Sequence, residues 1–417
     1  MQAIILSVGS EITTGQTVDT NSAWLSRQLA AVGAHVRMHA TVADEIEPIR
    51  DLLDRAAQEA DVVLVSGGLG PTDDDLTRQA LTAALGVQLV LHPPSVEKIR
   101  AFFERRQRTM PEANLIQAMF PAGTMPIENT CGTAPGIQAR LHDADVFVLP
   151  GVPREMKVMF ERSVLPWLSG RSGGAVLLTL TIQTYGAGES DIGMRIRDLM
   201  QRGRNPTVGT TAQQGVIGVR VYAYGRSRDE AQRMLAADAA EVRSRLGDLV
   251  YGENEETLAS VVVRQLVEAK QSVATAESCT GGLVAKCLTD VPGSSACFRN
   301  GFVTYANDAK VRILEVPAEQ IARHGAVSMP VAEAMAVQAR RISGSDYALA
   351  ITGIAGPTGG TVEKPVGLVC FGLASADGCD VFERRLGSDM TRDEIRERAC
   401  RFALNLLRLR LMGRPLP

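Results

Sequence analysis

No apolar stretch in the 417 residues approaches the roughly 20 needed to cross a bilayer. No basic leader is seen either, because the chain passes from Met1 straight into a strand-like run, so no signal peptide is expected. Charge of one sign is also missing. The 44 Lys and Arg against 47 Asp and Glu leave a net −3, without a long basic run. Phosphate-backbone binding needs clustered cations, so nucleic acid is not an expected partner. Cysteine is present in odd number, seven, and no C-x-x-C occurs. That argues against a disulfide framework or a thiolate zinc site and for a reducing compartment. A soluble, cytoplasmic protein is expected. Histidine is scarce: His35, His39, His92, His142 and His324 are all there is. No fixed-period repeat and no low-complexity tract is found.

What remains is an ordinary globular composition, 45% hydrophobic and 22% charged. At about 100–200 residues per domain the length suggests roughly two to four domains. Strand-like and helix-like segments alternate from Ala3–Val8 through Thr20–Ala31, Val36–Val42, Asp61–Val65 and Asp74–Leu85 to Asp145–Leu149 and Glu155–Leu168. This predicts a parallel sheet covered on both faces, over residues 1–168. Ser169–Gly174 reads as a linker. Residues 175–250 predict a small α+β unit of order β-α-β-β-α: Val176–Tyr185, Glu189–Gln201, Thr207–Thr211, Val216–Tyr224 and Arg228–Leu246. It is KH-like but lacks the G-x-x-G clamp of RNA-binding KH modules, so a spacer or dimerisation unit is the better reading.

Residues 253–417 predict a second α/β sandwich. Helices are expected at Thr257–Ala269, Leu283–Thr289, Pro330–Ile342 and Arg392–Leu411. Strands are expected at Ser272–Ala276, Phe302–Tyr305, Tyr347–Ile351, Val366–Ala374 and Asp380–Leu386. The arginines between Arg392 and Arg414 are interleaved with acids and read mostly as the solvated face of the last helix. The fold class is therefore α/β, two sandwich domains joined by a small α+β domain.

The sharpest chemical signal is ESCTGG at 277–282, a strand running through two glycines into a helix. Amides at such a helix start can hold a phosphate or a developing oxyanion, with the Ser278 hydroxyl exposed. The plainer reading is that Ser278 or Thr280 caps the helix. A serine nucleophile needs a base, and only His324 falls in this domain. Lysine is the alternative when burial lowers its pKa. Lys310, in TYANDAK at 304–310, is a candidate beside Tyr305, which could relay a proton; most lysines are solvated surface residues. Cys279 ranks below Ser278 as a nucleophile. TGIAGP at 352–357 is a second glycine turn after a strand, and Arg392 could pair with a phosphate.

In the N-terminal domain GGLGPTDDD at 67–75 runs from a strand through glycines to three carboxylates. Glycine backbone can approach a phosphate, and Asp73, Asp74 and Asp75 could hold a hard cation. The alternative is that the helix dipole gathers them. Glu11, Thr14 and Asn21, and Pro150-Gly151-Val152-Pro153, would lie at the same sheet edge.

These motifs together resemble the CinA family (competence/damage-inducible protein A). SVGSEITTGQTVDTNSAWL at 7–25, SGGLGPTDDDLTR at 66–78, GTAPG at 132–136 and LPGVPREM at 149–156 resemble its molybdopterin-binding-like domain. TAESCTGG at 275–282, DVPGSSACFRNGFVTYANDAK at 290–310, HGAVS at 324–328 and TGIAGPTGGTVEKPVG at 352–367 resemble its nicotinamide-nucleotide amidase domain. The middle unit resembles the family's KH-type connecting domain. The resemblance implies hydrolysis of nicotinamide mononucleotide to nicotinate mononucleotide and ammonia, with Ser278 as nucleophile activated by Lys310 and Tyr305. It places Thr280, Gly281, Gly282, Thr352, Gly353, Gly356 and Arg392 at the substrate, and asks for no cofactor. In the N-terminal domain it implies ADP-ribose pyrophosphatase activity around Glu11, Asn21, Gly67, Gly68, Gly70, Asp74 and Asp75. A divalent ion (Mg, Mn or Co) on Asp74 and Asp75, with potassium, would serve that site. A homodimer is expected. The rival readings are a protein acting mainly as the pyrophosphatase, and a non-enzymatic binder of a pterin-like ligand.

Overall fold

The computed structural model describes residues 1–171, 174 and 176–417. Ser172 and Gly173, inside the expected linker, and Ala175, the expected start of the connecting domain, lie outside the described residues. The chain divides into two compact units, Met1–Thr179 with Tyr222–Ala236, and Leu180–Val221 with Ala237–Pro417. Among the described residues no helix is long and apolar enough to cross a membrane.

The first unit runs β1 (Gln2–Val8), α1 (Ser10–Thr13), α2 (Thr20–Ala31), β2 (His35–Val42), α3 (Ile46–Glu59), β3 (Val62–Ser66), α4 (Thr77–Leu85), β4 (Leu89–Leu91), α5 (Pro93–Glu104), β5 (Met119–Pro121), β6 (Met125–Ile127), β7 (Gly136–Leu141), β8 (Ala144–Leu149), α6 (Pro153–Met159) and α7 (Leu165–Ser169). Six of its strands form one sheet in the order β2-β1-β3-β8-β7-β6. β1 pairs parallel with β2 and β3, and β3 parallel with β8. β1 is buried on both faces, which is why QAIILSV is nearly all apolar. Ile4 and Leu6 join Ile49, Leu53 and Leu81 on one side. Ala3 and Ile5 join Leu25, Leu29 and Phe160 on the other. Each Ile, Leu and Phe among them contributes about 1.5–3 kcal/mol by leaving water.

The next elements are β9 (Val176–Tyr185), α8 (Glu189–Arg195), β10 (Thr207–Gln213), β11 (Val216–Gly225), α9 (Arg228–Leu246) and β12 (Val250–Glu253). Their sheet has the order β10-β11-β9-β12. The predicted β-α-β-β-α order is present, with a fourth strand added by β12. The predicted helix to Gln201 stops at Arg195.

The remaining elements are α10 (Leu258–Ala269), β13 (Val273–Glu277), α11 (Leu283–Thr289), β14 (Phe298–Val303), α12 (Asn307–Leu314), α13 (Ala318–His324), α14 (Met329–Ser343), β15 (Tyr347–Gly353), β16 (Leu368–Ser375), β17 (Gly378–Arg385) and α15 (Arg392–Leu411). The sheet order is β14-β13-β15-β16-β17. β13 pairs parallel with β14 and β15, and the last two strands are antiparallel. Small residues Ala274, Ala276, Ala348 and Ala350 face Met335 and Ala336 of α14. A Cβ on Gly372 would lie 2.6 Å from Ala332 O, so α14 sits very close to the sheet. Val273, Leu349 and Ile351 face α10 and α15 on the other side.

Two local expectations need correction. α4 begins at Thr77, so the three aspartates precede the helix and do not form its first turn. The solvated-face reading of the 392–414 arginines fails at Arg408, which is only 1% exposed and lies within residues 402–409, all of them buried. Its guanidinium donates to Asp248 O at 2.7 Å and Val250 O at 3.1 Å. An arginine satisfied by backbone carbonyls tolerates burial that charge patterning alone disfavours.

Candidate active site

The carboxyl ends of β14, β13 and β15 meet at one edge, where ligands of open α/β sheets bind. The Thr304 amide donates to Glu277 O and the Ser278 amide to Ile351 O, both at 2.9 Å. Three segments distant in sequence are thereby brought into line.

The turn after β13 depends on Gly281 and Gly282, whose φ values of +59° and +92° disfavour any side chain. Gly282 is the N-cap of α11, and no side chain of its own caps the helix. Neither Ser278 nor Thr280 takes that role. Glu277 does: its carboxylate accepts from the amides of Gly282 at 3.0 Å, Val284 at 3.1 Å and Ala285 at 2.8 Å. Glu277 is 0% exposed. A carboxylate at the positive end of the helix, with three amide donors, is a stable way to bury that charge. The first-turn amides of α11 are therefore already occupied, which corrects the expectation that they hold an anion. Of the other amides in the turn, those of Ser278 and Gly281 donate to Ile351 O at 2.9 Å and Ser278 O at 3.0 Å, which leaves those of Cys279 and Thr280. Ser278, relieved of capping, keeps its hydroxyl for another partner.

That partner is Lys310, on the first turn of α12. It is 1% exposed, not a solvated surface lysine. Nζ donates to Ser278 Oγ at 3.0 Å, Thr304 O at 2.8 Å and Tyr305 O at 3.2 Å. Burial pushes the amine below its ordinary value. Beside it, burial pushes the Cys279 thiol up to about 12, so this cysteine keeps its proton and is a poor nucleophile.

Tyr305 is 58% exposed and touches Lys310 through its backbone carbonyl. Its hydroxyl accepts from Arg392 at 2.7 Å instead of bridging Lys310 and Ser278. Arg392, the first residue of α15, also donates to Gly356 O at 2.8 Å. One guanidinium thus joins the 304–310 segment to the 352–357 turn. One helical turn on, Arg396 donates to Thr280 O at 2.9 Å.

Thr280 is 0% exposed, and its hydroxyl is buried without a partner among the described residues. The Thr352 hydroxyl donates to Ala326 O at 2.8 Å. Both hydroxyls are turned into the protein. Gly353 has no room for a side chain: a Cβ would lie 2.9 Å from Leu368 O and 3.0 Å from Cys279 Sγ. Lys364 ties the same edge to the HGAVS segment by donating to His324 O and Val327 O, each at 2.6 Å. Glu277, Arg396 and Lys364 were not singled out from the sequence. An acid directly before a Ser-x-Thr-Gly-Gly helix start is the signal that could have revealed Glu277.

The N-terminal unit has its own cleft, about 490 Å³, at the carboxyl ends of β1, β3 and β8. Glu11, Asn21, Gly67, Gly68, Asp74 and Asp75 are among its walls. A Cβ on Gly67 would lie 2.1 Å from Val8 O, and one on Gly68 2.0 Å from Thr77 Oγ1. Asn21 donates to Ser66 Oγ at 2.9 Å and Gly151 O at 2.8 Å, joining α2, β3 and the turn after β8. Asp75 closes its own loop, accepting from the amides of Gly70 at 2.6 Å and Thr72 at 3.0 Å and from the Thr72 hydroxyl. Beneath the loop, Arg78 is fully buried and donates to Leu69 O at 3.2 Å. Asp75 is thus committed, Asp74 is exposed, and among the described residues no three His, Cys, Asp or Glu side chains gather round one point. The donor set does not form a ready cation site.

Comparison with known proteins follows the same layout. Residues 4–170 match the family described as "Probable molybdopterin binding domain", 179–252 "Damage-inducible protein CinA KH domain" and 255–411 "CinA C-terminal domain". A competence-damage inducible protein from Symbiobacterium thermophilum is 44% identical across 99% of this chain and 99% of its own. The chain belongs to the CinA family. A CinA-like protein from Desulfovibrio desulfuricans is 43% identical, covering 100% of this chain and 97% of its own. A solved structure of the competence/damage inducible protein CihA from Agrobacterium tumefaciens is 42% identical over 38% of this chain and 97% of its own, with a TM-score of 0.36. In this CinA-family chain the Ser278–Lys310 pair lies within the match to the CinA C-terminal domain, and the 490 Å³ cleft lies within the molybdopterin-binding match.

Proposed function

We propose that the C-terminal domain is a serine amidohydrolase that converts nicotinamide mononucleotide to nicotinate mononucleotide and ammonia. The observation that carries this reading is the 3.0 Å contact between buried Lys310 Nζ and Ser278 Oγ. An amide is a poor electrophile and needs an activated nucleophile. A neutral lysine has two N–H groups and one lone pair. The N–H groups suit Thr304 O and Tyr305 O, and the lone pair then faces the Ser278 hydroxyl. As Oγ attacks the carboxamide carbon, its proton passes to Nζ. The amides of Cys279 and Thr280 are the donors at hand for the oxyanion. Such a donor is worth about 10²–10³ in rate. Lys310 then protonates the departing amine, ammonia leaves, and the acyl group stays as an ester on Ser278. Water, deprotonated by the same lysine, hydrolyses the ester and restores the hydroxyl. Arg392 suits the phosphate, because a guanidinium can engage two oxygens at once. The apparatus asks for no cofactor.

The test is ammonia release from nicotinamide mononucleotide, in EDTA, by the full chain and by Ser278→Ala. Release by the first and none by a folded second supports the reading. No release by either would remove it.

The glycine-walled N-terminal cleft supports a second reading, a site for a phosphate-bearing ligand such as ADP-ribose. Titration calorimetry with ADP-ribose on the full chain, against Asn21→Ala, tests it. Equal binding by both variants, or none by either, counts against the cleft.

A further inference from the structure

Cys287 on α11 and Cys400 on α15 are 113 residues apart in sequence, yet their sulfurs lie 3.7 Å apart. Cys287 is half-buried, and Cys400 is buried behind it. Both open onto a cleft of about 640 Å³ whose walls include Gln183, Gln214, Asn254, Glu397 and Arg401. A disulfide needs its sulfurs at about 2.05 Å, so the pair must close by less than about 2 Å. α11 starts from the Ser278 turn and α15 carries Arg392, so the two sulfurs sit between the helices that frame the active-site edge.

We propose that Cys287 and Cys400 are a modification site for low-molecular-weight disulfides, Cys287 being the entry thiol and Cys400 the resolving one. The Cys287 thiolate attacks one sulfur of a small disulfide RSSR. The S–S bond breaks, a Cys287–S–S–R mixed disulfide forms, and RS⁻ leaves to take up a proton. Cys400 then attacks Cys287 Sγ and gives up its own proton. The second RS⁻ leaves, and an intrachain disulfide remains. Two protein thiols lose two electrons and two protons, and RSSR gains them as two RSH.

The order of the two steps follows from the surroundings. The Cys400 thiol donates toward Cys287 Sγ, and that bond brings Cys287 below the ordinary thiol value. It does so against burial and the nearby Glu397 and Asp290 carboxylates, with Lys286 assisting. At two other cysteines burial prevails, pushing Cys370 up to about 11 and Cys379 up to about 12. Thiolate character and access together select Cys287. The 640 Å³ cleft admits a reagent of glutathione size, and the polar walls suit a peptide-like one. Nothing in this depends on the amidase reading.

The test uses the full chain treated with oxidised glutathione, followed by alkylation of the remaining thiols, digestion and mass spectrometry. The wild type should yield a Cys287–Cys400 linked peptide, lose two alkylatable thiols and regain both on reduction. Cys400→Ser should stop at a glutathione adduct on Cys287, and Cys287→Ser should give neither product. The proposal is overturned if the wild type keeps both cysteines alkylatable, if glutathione enters at another cysteine first, or if Cys287→Ser still carries the adduct on Cys400. The wild-type result decides the matter even if a variant misfolds.

Discussion

Lys310 Nζ lies 3.0 Å from Ser278 Oγ, and the lysine that makes this contact is 1% exposed. The two residues are 32 apart in sequence, on a turn and on a helix that follow neighbouring parallel strands. Thr304 O and Tyr305 O fix the amine from behind, so it has one direction left in which to act.

Replacing Lys310 with Met removes the proposed base while keeping a long side chain in the buried slot. We expect kcat/KM for ammonia release to fall by about 10²–10⁴. Lys310→Arg should not restore it, because a guanidinium does not give up its proton near neutrality. Activity within about tenfold of wild type in a folded Lys310→Met would contradict the assignment of the base.

The pH profile should carry the sign of the Lys310 shift. Burial lowers this lysine, and the proposed reaction needs the neutral amine. The rate should therefore rise with pH through a midpoint below the ordinary lysine value. Over the same window the unfolded lysine binds a proton that the folded one does not. The group's contribution to stability accordingly grows as pH rises through the window and declines as pH falls through it. A kcat/KM profile with its acid limb at the ordinary lysine value would be inconsistent with this.

Glu277→Ala strips three amides at the start of α11 of their acceptor. We expect a loss of about 2–4 kcal/mol in urea unfolding, together with loss of activity. Glu277→Gln retains an acceptor oxygen and should cost less. Equal stability of the Ala variant and the wild type would mean that the cap is not needed.

Arg392→Ala should raise KM for the mononucleotide about 10–100-fold, the loss of a charge-assisted pair. It also frees Tyr305 and the 356 carbonyl, so a fall in kcat is expected too. Arg392→Lys should recover only part of the binding, because an ammonium cannot reproduce the two-pronged contact. The same KM in all three proteins would place the phosphate elsewhere.

In the N-terminal unit, Gly68 and Gly86 share a φ of +66° but not their surroundings. A Cβ on Gly68 would lie 2.0 Å from Thr77 Oγ1, whereas nothing lies within 4 Å of one on Gly86. Gly86→Ala should show only the backbone cost of a side chain in the left-handed region, about 1–2 kcal/mol. Gly68→Ala should be clearly worse in thermal melting. Equal effects would show that the loop adjusts.

Several elements were legible from residue pattern alone. α2, α9, α11 and α15 begin and end where the periodicity and end residues place them, and the buried runs at β1, β3 and β15 were read as strands. Periodicity starts α4 too early because Asp75 turns back to Gly70 and Thr72, a loop closure with no periodic signature. Residue type favours Ser278 or Thr280 as the cap of α11, whereas the backbone turn hands it to Glu277. Position in the chain puts Tyr305 beside Lys310, whereas the partner of its hydroxyl, Arg392, comes from a helix 87 residues further on.

By itself, the sequence determined the order of elements, the family, and the residue types available at each strand end. These depend on neighbours close along the chain. Only the tertiary structure decided that Lys310 is buried against Ser278, that Glu277 occupies the helix start, and that Cys287 meets Cys400. Desolvation and long-range contact set those facts, and neither has a local pattern to read.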